Sequence, residues 1–166
     1  MVLGAALTAL ALAAPIASAA SLPSATVSSN LSGIANAKPS LRLGIQTGTG
    51  ARITTVTIAV PPGLAFTTSA AGLARGVRTS GTGTAHSSVK GGLLTVTFRG
   101  DSDHVDLTVS RPALTESKGL KRAVDKVIDF NQAHHSDERD FPIDLTVTVY
   151  GAGTASVKVP IVIAVR

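Results

Sequence analysis

The chain has no cysteine and no tryptophan, and only one tyrosine and four phenylalanines among its 166 residues. Without thiols it can form no disulfide, thiolate metal site, cysteine nucleophile or lipid anchor on cysteine, so its stability must come from packing. The shortage of aromatics leaves few platforms for stacking on sugars or bases, and the core has to be built from Val, Ile, Leu and Ala. Charge is sparse too, at 15% of residues against 44% hydrophobic, which is the balance of one globular domain large enough for its own core. A net charge of +5 favours acidic partners, yet the 15 Lys and Arg are scattered from Lys38 to Arg166 instead of forming a block. That dispersal argues against nucleic-acid recognition.

What is abundant is alternation. Ile143, Leu145, Val147 and Val149 alternate with Asp144, Thr146, Thr148 and Tyr150, and Val157, Val159, Ile161, Ile163 and Val165 alternate with a second set that includes Lys158 and Pro160. This period of two, with a Gly151-Ala152-Gly153-Thr154 link, predicts a C-terminal β-hairpin with one face on the core. Pro160 offers no backbone donor, so it predicts an edge or a bulge in the last strand.

The N-terminus reads as an export signal. Val2 to Ala14 is an almost unbroken Ala/Leu run, Pro15 ends it, and Ala17-Ser18-Ala19 are the small residues a signal peptidase cleaves after. Residues 1–19 are therefore read as a signal peptide, with an uncleaved anchor as the rival because no basic residue precedes the run. Residues 20–38 form a Ser/Ala/Pro/Asn lead-in with an edge strand around Thr26 to Leu31, and residues 39–166 form the folded domain.

Within that domain, Ser40 to Gln46 and Arg52 to Val60 read as strands, the second stopped by Pro61-Pro62-Gly63. Leu64 to Gly92 is irregular and predicts short strands with no helix beyond a turn or two. Leu93 to Arg99 and His104 to Ser110 alternate again and, with Gly100-Asp101-Ser102-Asp103 between them, predict a second hairpin. Only Ser117 to Asn131 has helical period: Leu120, Ala123, Val124, Val127 and Ile128 make one stripe, with Ser117 as N-cap. The fold class that follows is an all-β antiparallel sandwich of about eight strands with one amphipathic helix before the final hairpin.

The segment Thr57-Ile58-Ala59-Val60-Pro61-Pro62-Gly63-Leu64-Ala65-Phe66 resembles the strand-turn segment of bacterial secreted Ig-like surface-repeat domains. Ser110-Arg111-Pro112-Ala113-Leu114, the helix after it and the Thr/Val-rich closing strands are similar to extracellular sandwich modules of Gram-positive bacteria. The resemblance implies an Ig-like connection of strands at or outside the cell surface, and it brings no catalytic residues with it. One copy in place of a tandem array, no acidic residue before the turn and no wall-sorting tail mean that it does not carry attachment to a cell wall.

Chemistry has to lie in the loops. His134, His135, Asp137, Glu138 and Asp140 follow the helix within seven residues. Imidazole nitrogen and carboxylate oxygen are good ligands for zinc, so His134, His135, Asp137 and Asp140 are the candidate metal residues. Against this, adjacent histidines seldom share an ion, there is no H-E-x-x-H spacing, and a solvated polar loop accounts for the same residues. Asp101, Asp103 and Asp106 around His104 supply hard oxygens of the kind calcium takes, but without the later Glu of an EF-hand loop. A soluble hairpin end explains them equally. No G-x-S-x-G elbow occurs, and the glycine pairs at 48/50 and 81/83 lack the helix a phosphate loop needs.

The leading functional reading is an exported, non-enzymatic structural or binding module, in the cell envelope or secreted, that needs no cofactor. It would meet an anionic wall polymer, a glycan or a protein, with no nucleic acid and no membrane insertion after signal cleavage. The alternative is a metal-binding protein or metal-assisted hydrolase on the 134–140 loop.

Overall fold

The computed structural model describes residues 25–48, 51–81, 86–100, 102–135, 141–151 and 154–163, the last stretch by its backbone alone. The reading of residues 1–19 as a signal and the carboxylates Asp101, Asp137, Glu138 and Asp140 lie outside the described residues. In chain order the elements are β1 (Ala25–Ser32), β2 (Ser40–Thr47), β3 (Thr55–Ala59), β4 (Leu64–Phe66), α1 (Ala70–Gly76), β5 (Val77–Ser80), β6 (His86–Lys90), β7 (Leu93–Thr97), β8 (His104–Ser110), β9 (Leu114–Glu116), α2 (Lys118–His134), β10 (Phe141–Tyr150) and β11 (Thr154–Ile163).

They build an antiparallel β-sandwich, Ig-like in character. One sheet has the order β1-β2-β8-β5, the other β11-β10-β3-β7-β6, and β4 with β9 forms a small third pair. Alternation decides which side of each strand is inside. Leu41, Leu43, Ile45, Val105, Leu107 and Val109 face inward from the first sheet, and Val56, Ile58, Leu94, Val96, Leu145 and Val147 from the second, all essentially inaccessible to solvent. Among the described residues Thr47 and Asn131 are the polar residues buried over their whole surface, so the interior is nearly all aliphatic, as the composition requires.

The sides of the sandwich are closed differently. The edge strands β1 and β11 run alongside each other on one side, and α1 lies against β5, β6 and β8 on the other. Thus β11 is an edge strand of its sheet, as Pro160 predicts. The lead-in also does more than its composition implies. β1 pairs residue for residue with β2, from Ala25↔Thr47 to Ser32↔Ser40, so the sandwich already includes Ala25 to Ser32.

Two expectations are corrected. Among the described residues there are eleven strands instead of about eight, the short strands read in the section from Leu64 to Gly92 being β4, β5 and β6. Nor do β7 and β8 form a hairpin: β7 pairs with β3 and β6, and β8 with β2 and β5. The Gly/Asp/Ser link between them carries the chain from one sheet to the other. It is held there by Thr47 N–H on Asp103 O and Ile53 N–H on Ser102 O, both 2.9 Å, with Phe98 and Ile53 buried beside it.

Helix α2 starts where the sequence places it. Ser117 is its N-cap, its hydroxyl accepting the Leu120 N–H at 3.1 Å. The helix can dock because Gly63, at φ +100°, brings its backbone against Leu120: a Cβ there would lie 2.9 Å from that of Leu120. The Gly63 carbonyl accepts the Ser117 N–H at 2.7 Å. Leu120 and Val124 are buried with Leu64, Phe66 and Leu114, which makes the helix stripe part of the protein core.

Candidate binding surfaces

The two histidines of the predicted metal loop are placed by the end of α2. His134 stacks on Phe130, with ring centroids 4.0 Å apart, and its Nδ1 lies 2.8 Å from the Phe130 carbonyl oxygen. A carbonyl can only accept, so in that contact Nδ1 is the donor and Nε2 alone is left to act as a metal ligand. His135 is the left-handed C-cap of the helix, at φ 49° and ψ 38°, with its backbone N–H bonded to Asn131 and Gln132 carbonyls. Both side chains are exposed. The local sequence explains this: helices commonly end on a left-handed residue at the surface. Among the described residues no group of three His, Asp or Glu side chains is arranged to hold a metal ion.

The Asp/His group around β8 is spread over two kinds of structure. His104 Nε2 stands 3.3 Å from Asp106 Oδ1, and Ser80 Oγ lies 3.5 Å from Asp106 Oδ2. Asp103 instead spends its carbonyl on Thr47 at the crossover link. The order Ser, Asp, His is the wrong one for activating a hydroxyl, since the base must touch the serine.

One surface was not legible in the sequence, because its residues come from three separate strands. On the outer face of the first sheet, Gly44 sits opposite Ser28 on β1 and Asp106 on β8, and Arg42 sits opposite Asn30 and Thr108. A side chain at position 44 would meet Ser28 Oγ at 2.7 Å and Asp106 Oδ1 at 3.5 Å. Its absence opens a depression of about 320 Å³ lined by Ser28, Asn30, Arg42, Asp106 and Thr108. Arg42 is exposed there, whereas Arg78 across the same face is pinned to the Ala74 carbonyl at 2.9 Å. The depression thus has a cationic end and an anionic end with hydroxyl and amide groups between them, a set suited to orienting a polar ligand.

Two further hollows flank the sandwich. About 490 Å³ opens between Asn36, Lys38, Pro39, Ser110 and Arg111. Arg111 reaches Glu116 at 3.3 Å, and the Glu116 side chain is only 5% exposed, its Oε2 making no hydrogen bond among the described residues. The guanidinium is therefore the partner that makes this buried carboxylate tolerable. An apolar hollow of about 370 Å³ lies between Pro61, Pro62, Leu64, Phe66 and Leu93. Among the described residues no helix is long and apolar enough to cross a membrane.

No protein-family model matches the chain, and no curated protein matches it in sequence. Solved structures with a related arrangement include the full-length major pilin SpaD from Corynebacterium diphtheriae, at 10% identity and TM-score 0.45, covering 82% of this chain and 34% of that one. BcpA, the major pilin subunit of Bacillus cereus, matches at 7% identity and TM-score 0.47 over 84% of this chain and 40% of that one. ACE19, the collagen binding subdomain of the Enterococcus faecalis surface protein ACE, matches at 9% identity and TM-score 0.44, covering 84% of this chain and 95% of that one. The chain thus spans about a third to two-fifths of the pilin chains.

Proposed function

We propose that this chain is an exported, non-enzymatic module of the cell envelope or the surrounding medium, which uses a rigid sandwich to present polar sheet faces to a partner. The observation that carries this reading is the open depression over Gly44, where Arg42, Asp106, Ser28 and Asn30 meet on a solvent-facing sheet instead of inside an enclosed cleft. Such a site can hold a chain passing across it, and the exposed guanidinium favours a partner with carboxylate or phosphate groups, as an anionic wall polymer has. The aliphatic interior serves stability alone. The export half of the reading rests on the Ala/Leu run and Ala17-Ser18-Ala19.

Fractionation of the native cell with mass spectrometry of the mature N-terminus tests the export half. The expected result is a chain beginning at Ala20 in the envelope or medium; an intact Met1 form in the cytosol would overturn it.

A further inference from the structure

The outer face of the second sheet differs in kind from the depression just described. The register of β10, β3, β7 and β6 places Thr148, Thr57, Thr95 and Ser88 in one row across four strands. The next row is Tyr150, Thr55, Thr97 and His86. Their neighbours in sequence, such as Val56, Val96 and Val147, are fully buried, so these side chains point outward. Threonine is favoured on any strand, and hydroxyls alone would mean little. Three further observations give the patch a direction.

First, it is uncharged at its centre although the chain carries a net charge of +5; Lys90 and Asp144 lie at its margins. Second, among the described residues Thr55, Thr57, Thr95 and Thr97 make no side-chain hydrogen bond to protein, unlike Thr47, Thr54 and Thr115. Each hydroxyl is thus free to donate and accept outward. Third, the sole tyrosine, Tyr150, is 38% exposed at the end of one row, and it is the aromatic ring this face offers.

Within a row the side chains repeat at the strand spacing of about 4.8 Å, and the two rows lie about 6.8 Å apart along the strands. An extended hexose polymer repeats its hydroxyls once per ring, a length close to the strand spacing. Uncharged hydroxyl rows match a neutral glycan and give nothing to a polyanion. A sheet twists by roughly 20–25° from strand to strand, so a rigid flat lattice such as ice would touch only part of the face, whereas a single flexible chain can follow it. We infer that the outer face of β10-β3-β7-β6 binds a single chain of a neutral polysaccharide, which runs across the strands along the threonine rows with one ring stacked on Tyr150. This deepens the reading of the chain as an exported binding module, and it uses the opposite face from the Arg42 depression.

Affinity electrophoresis of the full chain, in gels containing a neutral glucan or mannan with polygalacturonate as the anionic control, tests it. Retardation by at least one neutral polymer is expected. Thr57→Val with Thr95→Val keeps the β-branched shape and removes two hydroxyls, so it should weaken that retardation about tenfold without moving the melting temperature. Tyr150→Ala should weaken it as well, and Arg42→Ala should not. Absence of retardation by both neutral polymers, or retardation untouched by the threonine and tyrosine variants, would overturn the inference. So would a dimer in sedimentation that Thr57→Lys dissociates, since the face would then be covered by a second copy. Retardation by polygalacturonate alone, lost in Arg42→Ala, would overturn the glycan inference while leaving the binding-module reading in place. A cytosolic location with retardation intact would do the reverse.

Discussion

The two sheets share an inside and differ on the outside. Their inner faces are interchangeable in kind, with Leu43 and Leu107 on one side and Leu94 and Val147 on the other all inaccessible to solvent or nearly so. Their outer faces are not. Across Arg42, Gly44 and Asp106 the first sheet is charged and indented, while across Thr57, Thr95 and Thr148 the second is neutral and regular. Period-two alternation sets both properties at once, because each strand hands one residue to the core and the next to solvent. The core positions are held to one chemistry by burial. The outward ones are free to diverge.

The largest effects should come from the shared inside. Val147→Asp buries an unpaired carboxylate and should abolish cooperative unfolding, since that penalty exceeds the few kcal/mol by which such a domain is stable. Leu94→Ala and Leu107→Ala should each cost about 2–5 kcal/mol in chemical denaturation, with similar values for the two sheets. A cost confined to one sheet would break the equivalence. Next is the Arg111–Glu116 contact. Arg111→Ala should lower stability by about 1–3 kcal/mol by leaving a buried carboxylate without its partner, and Glu116→Gln in the same background should recover part of the loss.

Smaller effects belong to α2. Ser117→Ala removes the cap and should cost about 1 kcal/mol. At the other end, His135→Gly should raise stability by about 1 kcal/mol, because glycine takes the left-handed conformation without the steric penalty. Added zinc should give no rise in melting temperature, either in the parent chain or with His134, His135, Asp137 and Asp140 replaced by alanine. A rise worth about 2.7 kcal/mol at a hundredfold excess of zinc over its dissociation constant, lost in that variant, would favour the metal reading. The smallest effect on stability is expected of Arg42→Ala, which should leave melting unchanged and weaken retention on polygalacturonate alone, thereby separating the two outer faces.

Most of the elements could be read from the chain because alternation and the Leu120/Val124 stripe are local signals. Pairing could not. The period of β7 and β8 shows which residues face inward but not which strand lies alongside, and a Gly-Asp-Ser-Asp link reads like a tight turn whether it joins partners or crosses between sheets. Short strands were expected between Leu64 and Gly92, but not where they begin and end: segments such as His86-Ser87-Ser88-Val89-Lys90 carry little apolar material and owe their strand state to neighbours. The site followed the same division. His134 and His135 were visible because they are adjacent. The Gly44 depression draws on Ser28, Arg42 and Asp106, which only the β1-β2-β8 register brings together.

The topology also has a temporal consequence. β3 finds one of its partners in β7 but the other in β10, some 90 residues later, and β2 must wait for β8. A sheet assembled from such distant strands forms slowly and late, since loop closure precedes the contacts that reward it. A growing chain therefore reaches the β3–β10 ladder only once Thr146 to Tyr150 have been added. Until then β3 is held only on its β7 side, and the sheet cannot be completed around its central strand before β10 arrives.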